Sequence, residues 1–243
     1  MDKNLSQIQK TFDSTIKDAN IGGIIVDISE ISIDSLLDEG VLKDVPVIRT
    51  IVALAKTGIN IQDKLFLKKI ISFINGLGDV PVKKRAEEIN KIDDSKKYRI
   101  KVGEKLLYIL DSCDDYVNSE LIAKLFKAFL EEVISYDEFL KSANIIKNII
   151  KSDLDWFLYS TTSDMSPQEV QNLIGTGLFT LHYEQVDVHV EDNTVDYKHG
   201  YNVGNKYSTS VQDGGVSVDI SDIGVVIKKI LFSQEKYTEY KKK

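Results

Sequence analysis

Apolar residues recur at helical spacing through most of the first 150 positions. The most apolar stretch is 45–77, where residues from Leu65 onward return every three or four positions with lysines on the other side. This pattern predicts a central helical hairpin or a kinked helix, with Gly58 at the break, against which the other helices pack. Pro46 suits the first turn of such a helix, where its missing N–H costs no hydrogen bond.

Further helices are predicted on both sides of this central stretch. Residues 1–18 place Leu5, Ile8, Phe12 and Ile16 on one face. Asn118–Ser119 is expected to cap a helix that extends to Leu130. The segment 24–28 reads as a short strand or the start of a helix, and 34–40 as one or two helical turns. The other predicted helices of this half cover 82–92, 102–110 and 135–150.

The character of the sequence changes after about Lys151. Ser166-Pro-Gln-Glu169 combines a serine cap, a proline at the first position and a glutamate three residues after the cap, which predicts a short helix over 166–174. The alternating segment 178–190 predicts a strand, and 216–220 a second one. Residues 191–214 read as a long loop or a ragged hairpin tip. A final helix capped by Ser221 and a frayed, charged tail over 236–243 complete the prediction.

The predicted fold class is therefore mainly α (α+β), with two domains. Residues 1–153 form a helical bundle, and 154–243 form a small winged-helix-like module with a β-hairpin and a charged tail. The winged-helix interpretation rests on the order helix, short helix, strand, loop, strand, helix.

Charge and composition narrow the possible functions. The 243 residues carry a net charge of −7, so no global positive field attracts nucleic acid or anionic lipid. Between Trp156 and Ile227 only Lys198 and Lys206 are basic, which disfavours duplex DNA binding by the predicted recognition helix. The single cysteine and the absence of a secretory signal predict a cytoplasmic protein. The apolar segment 45–61 is short for a membrane span and includes charged residues.

Three histidines and the acidic segment 111–115 are the candidate positions for metal binding or catalysis. On ideal strands His182 and His189 fall on different faces, so a metal site that includes His199 is disfavoured but left open. Asp111-Ser-Cys-Asp-Asp115 lacks the spacing of a calcium loop, and its carboxylates are expected to end one helix and cap the next. Cys113 is expected to be a core residue. No catalytic, cofactor-binding or metal-binding residue is predicted, and the protein is expected not to be an enzyme.

Several sequence segments resemble segments of known bacterial proteins. The segments 42–52, 64–70 and 101–111 are similar to a set of uncharacterised bacterial helical proteins. The layout of a helical body, then Leu173-Ile-Gly-Thr-Gly-Leu-Phe179, then Ile220-Ser-Asp-Ile-Gly224, resembles the Abi-alpha family, which is associated with abortive-infection phage resistance. This resemblance supplies no catalytic positions.

Together these observations predict a non-enzymatic protein-interaction module, with phage defence as the setting that the resemblance implies. Its partner would be a protein whose identity the sequence does not give. One alternative is a membrane-acting effector that uses the apolar stretch 45–77. A second is a winged-helix DNA-binding regulator.

Overall fold

The computed structural model describes residues 3–21, 44–55, 61–160, 165–192 and 207–241. The chain divides into two compact units: unit 1 comprises residues 1–160 and 222–243, and unit 2 comprises residues 161–221. The division differs from the boundary at 153/154 that the sequence suggested. The predicted segments 24–28 and 34–40, the predicted break at Gly58, and His199 lie outside the described residues.

Unit 1 is helical, in agreement with the predicted mainly α class. Its α-helices, in chain order, are α1 (Lys3–Asp18), α2 (Pro46–Ala55), α3 (Ile61–Asn75), α4 (Val82–Asp93), α5 (Val102–Asp111), α6 (Tyr116–Leu130), α7 (Tyr136–Ile146), α8 (Lys151–Tyr159), α9 (Asp222–Leu231) and α10 (Gln234–Tyr240).

The stretch 45–77 forms α2 and α3, and α2 begins at Pro46 as expected. Helix α3 contacts α2, α5 and α6, so it buries more than one stripe. Leu67 and Ile71 are therefore buried although the sequence pattern did not single them out, whereas Leu65, which it did, is 55% exposed. A helix with neighbours on several sides loses the clean two-sided pattern of a surface helix.

A column of phenylalanine rings joins four helices of the core. Phe73 of α3 lies with its ring centre 6.1 Å from Phe12 of α1 and 5.7 Å from Phe126 of α6. Phe126 continues the column to Phe139 of α7, at 5.2 Å in an edge-on arrangement. All four side chains are 0% exposed. Tilted and edge-on aromatic pairs add a favourable electrostatic term to the burial of apolar area.

Arg85 of α4 ties the end of α1 to the bundle. It is 1% exposed, and its guanidinium donates to the carbonyl oxygens of Thr15, Ile16 and Ala19 at 3.2, 2.8 and 2.6 Å. It also donates to Val80 O at 3.2 Å. The last carbonyls of a helix lack intrahelical partners, so this buried cation satisfies the C-terminus of α1 and complements its dipole.

Two helix ends differ from the sequence prediction. Helix α6 is capped by Asp115, whose carboxylate accepts from Asn118 N at 2.9 Å. The predicted cap at Asn118–Ser119 was therefore wrong, whereas the expectation that a carboxylate of the Asp111–Asp115 segment caps this helix is confirmed. Asn118 and Ser119 lie inside the first turn and are buried. Residues 236–240 of the tail predicted to fray lie in α10, which is capped by Ser233, and Tyr159 lies 5.6 Å from Tyr240 between ring centres. Aromatic packing, which a charge pattern does not reveal, orders this helix.

Unit 2 is built around antiparallel strands β1 (Phe179–Tyr183), β2 (Val186–Asp192), β3 (Tyr207–Asp213) and β4 (Val216–Ile220). Strand β1 pairs with β4 and β2 with β3, and the register does not slip between the two pairs. We call the two pairs together the ribbon. Strand β3 falls in the region predicted as a long loop or a ragged hairpin tip. Its sequence, Tyr-Ser-Thr-Ser-Val-Gln-Asp, has little apolar alternation, and pairing with β2 defines it as a strand.

The helix predicted over 166–174 is absent. Ser166 and Glu169 make one half of the capping contact, since Ser166 N and Oγ are both 2.8 Å from the Glu169 carboxylate, whereas Glu169 N donates to Ser166 O. The chain then continues as turns and a 3₁₀ helix (Ile174–Thr176). The buried residues Val170 and Leu173 are three positions apart, which suits a 3₁₀-like path, and Gly177 ends it at a φ of 91°.

Candidate interaction surface

An exposed row of valines lies on the β2–β3 half of the ribbon. Val186, Val188 and Val190 alternate along β2, and Val211 of β3 stands opposite Val188 in the register. Directly opposed residues of an antiparallel pair share a face, so these four side chains form one surface, which we call the valine face. Their exposed fractions are 59%, 52%, 61% and 63%.

The other face of the same two strands is polar. On β2 it carries Asp187, His189 and Glu191, and on β3 it carries Ser210 and Gln212. His189 Nε2 lies 3.2 Å from Asp187 Oδ2. All of these side chains are exposed. The β2–β3 pair is therefore amphipathic, but its apolar side faces solvent as fully as its polar side.

Gly214 and Gly215 lie where the apolar side of the ribbon switches from odd-numbered to even-numbered residues. The apolar positions are odd-numbered on β1 (Phe179, Leu181) and even-numbered on β2, so the alternation shifts by one between the strands. Opposite this shift, Gly214 has a φ of 87°, and an added Cβ there would lie 2.9 Å from Val186 Cγ2. A side chain at this position would be strained and would press on the first valine of the face.

The surroundings of the valine face are acidic. Residues 161–221 contain nine Asp and Glu, two Lys and no Arg. Asp187, Glu191 and Glu184 are exposed carboxylates of β2 and of the residues just before it. The unit therefore presents apolar surface within a negative field, which repels polyanions and attracts cationic groups.

The structure does not bring the candidate histidines together. His182 Nε2 lies 3.3 Å from Asp219 Oδ2 in the β1–β4 pair, whereas His189 contacts Asp187 in the β2–β3 pair. Among the residues that the structure describes, no group of three or more His, Cys, Asp or Glu side chains has the arrangement of a metal site. The two placed histidines each have a carboxylate neighbour on their own face of the ribbon.

The acidic segment around Cys113 has a structural role. Cys113 is 3% exposed, its Sγ lies 3.3 Å from Ile109 O, and burial raises the pKa of its thiol to about 11. Lys69 Nζ donates to the carbonyl oxygens of Asp111 (3.0 Å) and Cys113, which ties α3 to the end of α5. Since Asp115 caps α6, this segment joins two helices and presents no activated nucleophile.

A depression of about 350 Å³ lies at the turn between α6 and α7. Its acidic residues include Glu88 and Glu132, and Lys91 Nζ lies 2.7 Å from Glu88 Oε1. Lys84 lies 3.2 Å from Glu88 and 2.5 Å from Glu132, which holds the pKa of the Glu132 carboxyl below its usual range. Because lysines already pair these carboxylates, the depression reads as an ion-pair junction between α4 and the α6–α7 turn.

Comparisons with protein-family models, with curated proteins and with solved structures gave no match. Within the described ranges, no helix is both long enough and apolar enough to cross a membrane. The valine face, with four exposed apolar side chains on one side of a strand pair, is the candidate functional surface of the described residues.

Sequence reasoning found this surface only in part. The alternation of Val186, Val188 and Val190 predicted a strand, but alternation does not show whether the apolar side is covered. Val211 was missed because it lies in the segment predicted as a long loop or a ragged hairpin tip. The signal available in the sequence was the glycine pair at 214 and 215. Such a pair indicates a tight turn between two strands, and therefore a strand before it, where the prediction had a long loop or a ragged hairpin tip.

Proposed function

We propose that the protein acts through protein–protein contact and that the valine face is its contact surface. The observation that carries this proposal is the exposure of four valines, each more than half accessible, on one side of a two-stranded pair. A two-stranded hairpin alone is at best marginally stable in water, and contiguous exposed apolar patches mark interaction sites. A partner that covers the face would bury the valines and stabilise the hairpin.

The charge of unit 2 supports a protein partner over nucleic acid or an anionic membrane. Nine carboxylates against two lysines repel phosphate groups. The turns in place of the expected recognition helix remove the element that a winged-helix DNA binder would insert into the major groove. The interaction function in this proposal needs no catalytic residue.

The finer predictions from the sequence remain part of the proposal. A winged-helix-like arrangement of 154–243 is supported only by the order of helix α8, the strands and helix α9, since turns occupy the place of the helix expected between α8 and β1. A place in phage defence is supported only by the resemblance of residues 173–179 and 220–224 to the Abi-alpha family. A cytoplasmic location is supported by the sequence composition.

The test compares three tagged full-length proteins as baits in a lysate of the native cells. The first is the wild type, and the second carries Val188→Ser and Val211→Ser on the valine face. The third carries Ser210→Ala and Gln212→Ser, two exposed residues on the polar face of β3. We expect the wild type and the polar-face variant to retain a protein at near one-to-one ratio, and the valine variant to lose it.

Circular dichroism and the urea midpoint of each bait provide the control for folding. If a retained protein remains bound to the valine variant, the valine face is not the contact surface. If the wild type retains no protein at a stoichiometric level, the proposed function is wrong.

A further inference from the structure

We propose that the partner contributes a basic β-strand, alternating apolar residues with Lys or Arg, which pairs with the free edge of β2. This inference rests on the proposed function and identifies the chemistry of its partner. It follows from the backbone edge that β2 presents and from the two kinds of side chain along that strand.

The backbone of β2 is available for pairing. Within the described part of the chain β2 pairs only with β3, and all six residues 186–191 are exposed. An unpaired strand edge carries a row of N–H and C=O groups that an extended segment of another protein can use. Such a strand would turn the two-stranded pair into a three-stranded sheet, which is the size at which a sheet gains independent stability.

The side chains of β2 specify the added strand. Successive residues of an added strand point alternately to the two faces of the sheet. Its apolar residues would lie beside Val186, Val188 and Val190. Its other residues would lie beside Asp187, His189 and Glu191 on the polar face. Two carboxylates against one histidine favour Lys or Arg in cross-strand pairs and repel Asp or Glu.

The edge of β3 is a less specific alternative. Strand β3 has Val211 on the valine face, between Thr209 and Asp213 in the register, and serines and a glutamine on the polar face. Its valine face therefore includes one valine, and its polar face has no carboxylate to select a cation. The β2 edge provides three valines that alternate with Asp187, His189 and Glu191. The β2 edge therefore discriminates among partners by charge as well as by apolarity.

The negative charge of β2 also disfavours a second copy of the chain, nucleic acid and anionic lipid as the group that binds its edge. A second copy of the chain would bring its own β2 carboxylates against those of the first, and like charges across an interface cost affinity. Phosphate groups of nucleic acid or of anionic lipid meet the same repulsion. A basic polypeptide strand is the occupant that satisfies both faces of β2.

The experiment uses the full-length protein and two synthetic peptides of about eight residues, the length of an ordinary strand. One peptide alternates valine with lysine, and the other alternates valine with glutamate. Fluorescence anisotropy of labelled peptides gives the affinities. We expect the valine–lysine peptide to bind at least about tenfold more tightly, with binding weakened between about 0.05 M and 0.5 M salt as the charges are screened.

Two pairs of variants separate strand addition from general attraction to an acidic protein. Asp187→Asn with Glu191→Gln removes the two carboxylates of β2. Glu235→Gln with Glu239→Gln removes two exposed carboxylates at the same spacing on α10. We expect the first pair to weaken binding of the valine–lysine peptide at least about fivefold, by loss of two cross-strand ion pairs, and the second pair to leave it unchanged.

Equal binding of the two peptides, equal effects of the two variant pairs, or no binding of the valine–lysine peptide to the wild type would overturn the inference. Each of these results is compatible with a protein partner that depends on Val188 and Val211 in the capture experiment. Failure of the basic-strand inference is thereby distinguished from failure of the proposed function.

Discussion

Valine side chains are buried in the helical unit but exposed on the ribbon. In unit 1, Val47 and Val102 are 0% exposed, whereas in unit 2 Val188 and Val211 are 52% and 63% exposed. Several helices surround each apolar stripe of unit 1, but the β2–β3 pair has only two strands and nothing among the described residues covers its apolar face. An apolar pattern therefore indicates a core only where the fold supplies a second layer, and otherwise indicates a contact surface.

The largest expected effect is a cavity in the helical core. Phe126→Ala removes the ring that lies 5.7 Å from Phe73 and 5.2 Å from Phe139, and the packed helices cannot fill the space. We expect the free energy of unfolding to fall by about 4 kcal/mol. Urea denaturation followed by circular dichroism measures this. Val188→Ala on the ribbon should change the free energy of unfolding by about 0.5 kcal/mol or less. A comparable loss for Phe126→Ala and Val188→Ala would contradict the contrast between a buried core and an exposed valine face.

The next effect concerns the buried cation of unit 1. Arg85→Met keeps much of the side-chain volume but leaves the carbonyls of Thr15, Ile16 and Ala19 without their donor. We expect a loss of about 3 kcal/mol in the free energy of unfolding, because buried unpaired acceptors at a helix end are costly. The matched control is Arg99→Met, since Arg99 is exposed. If both variants unfold at the same urea concentration, Arg85 does not hold α1.

The burial of Cys113 predicts that the stability of the protein depends on pH above pH 9. Burial raises its pKa from 9.0 to about 11, so above pH 9 the unfolded thiol ionises while the folded thiol does not. Its contribution to stability is fully present below pH 9 and is lost as the pH rises towards 11, by about 2 kcal/mol. We expect the stability difference between wild type and Cys113→Ala to shift by this amount over that range. A constant difference would show that the thiol is not buried in solution.

The helices were largely predictable because their apolar residues recur with a period that one face of a helix explains. Helix α5, predicted over 102–110, extends over Val102–Asp111. Helix α10 and strand β3 were not predicted, because the contacts that accompany them come from Tyr159 and from β2, both distant in the sequence. The segment 166–174 shows the reverse case: a correct local contact between Ser166 and Glu169 does not extend into a helix.

For the candidate site, the sequence revealed the alternating valines of β2 but not their exposure. Whether the apolar side of a strand is covered depends on the layers packed against it, which are a property of the whole fold. Val211 enters the surface only through the register that places it opposite Val188. The histidines and the Asp111–Asp115 segment, which stood out in the sequence for their chemistry, have ordinary structural neighbours.

The smallest change in stability is expected for the valine face itself. Val188→Ser with Val211→Ser exchanges exposed apolar side chains for polar ones and should lower the free energy of unfolding by less than about 1 kcal/mol. The polar-face pair Ser210→Ala and Gln212→Ser should behave alike. Thermal denaturation of the two variants checks this, and a loss of several kcal/mol confined to the valine pair would place these valines in a core.

Hydrogen–deuterium exchange of the protein alone tests the contrast between the two units most directly. In the free protein we expect the amides of β2 and β3 to exchange at least about a hundredfold faster than those in the middle of α3 and α6, because the exposed two-stranded pair opens without disturbing the helical core. Protection of β2 and β3 equal to that of α3 and α6 would show that the valine face is already covered, and would contradict its assignment as a contact surface.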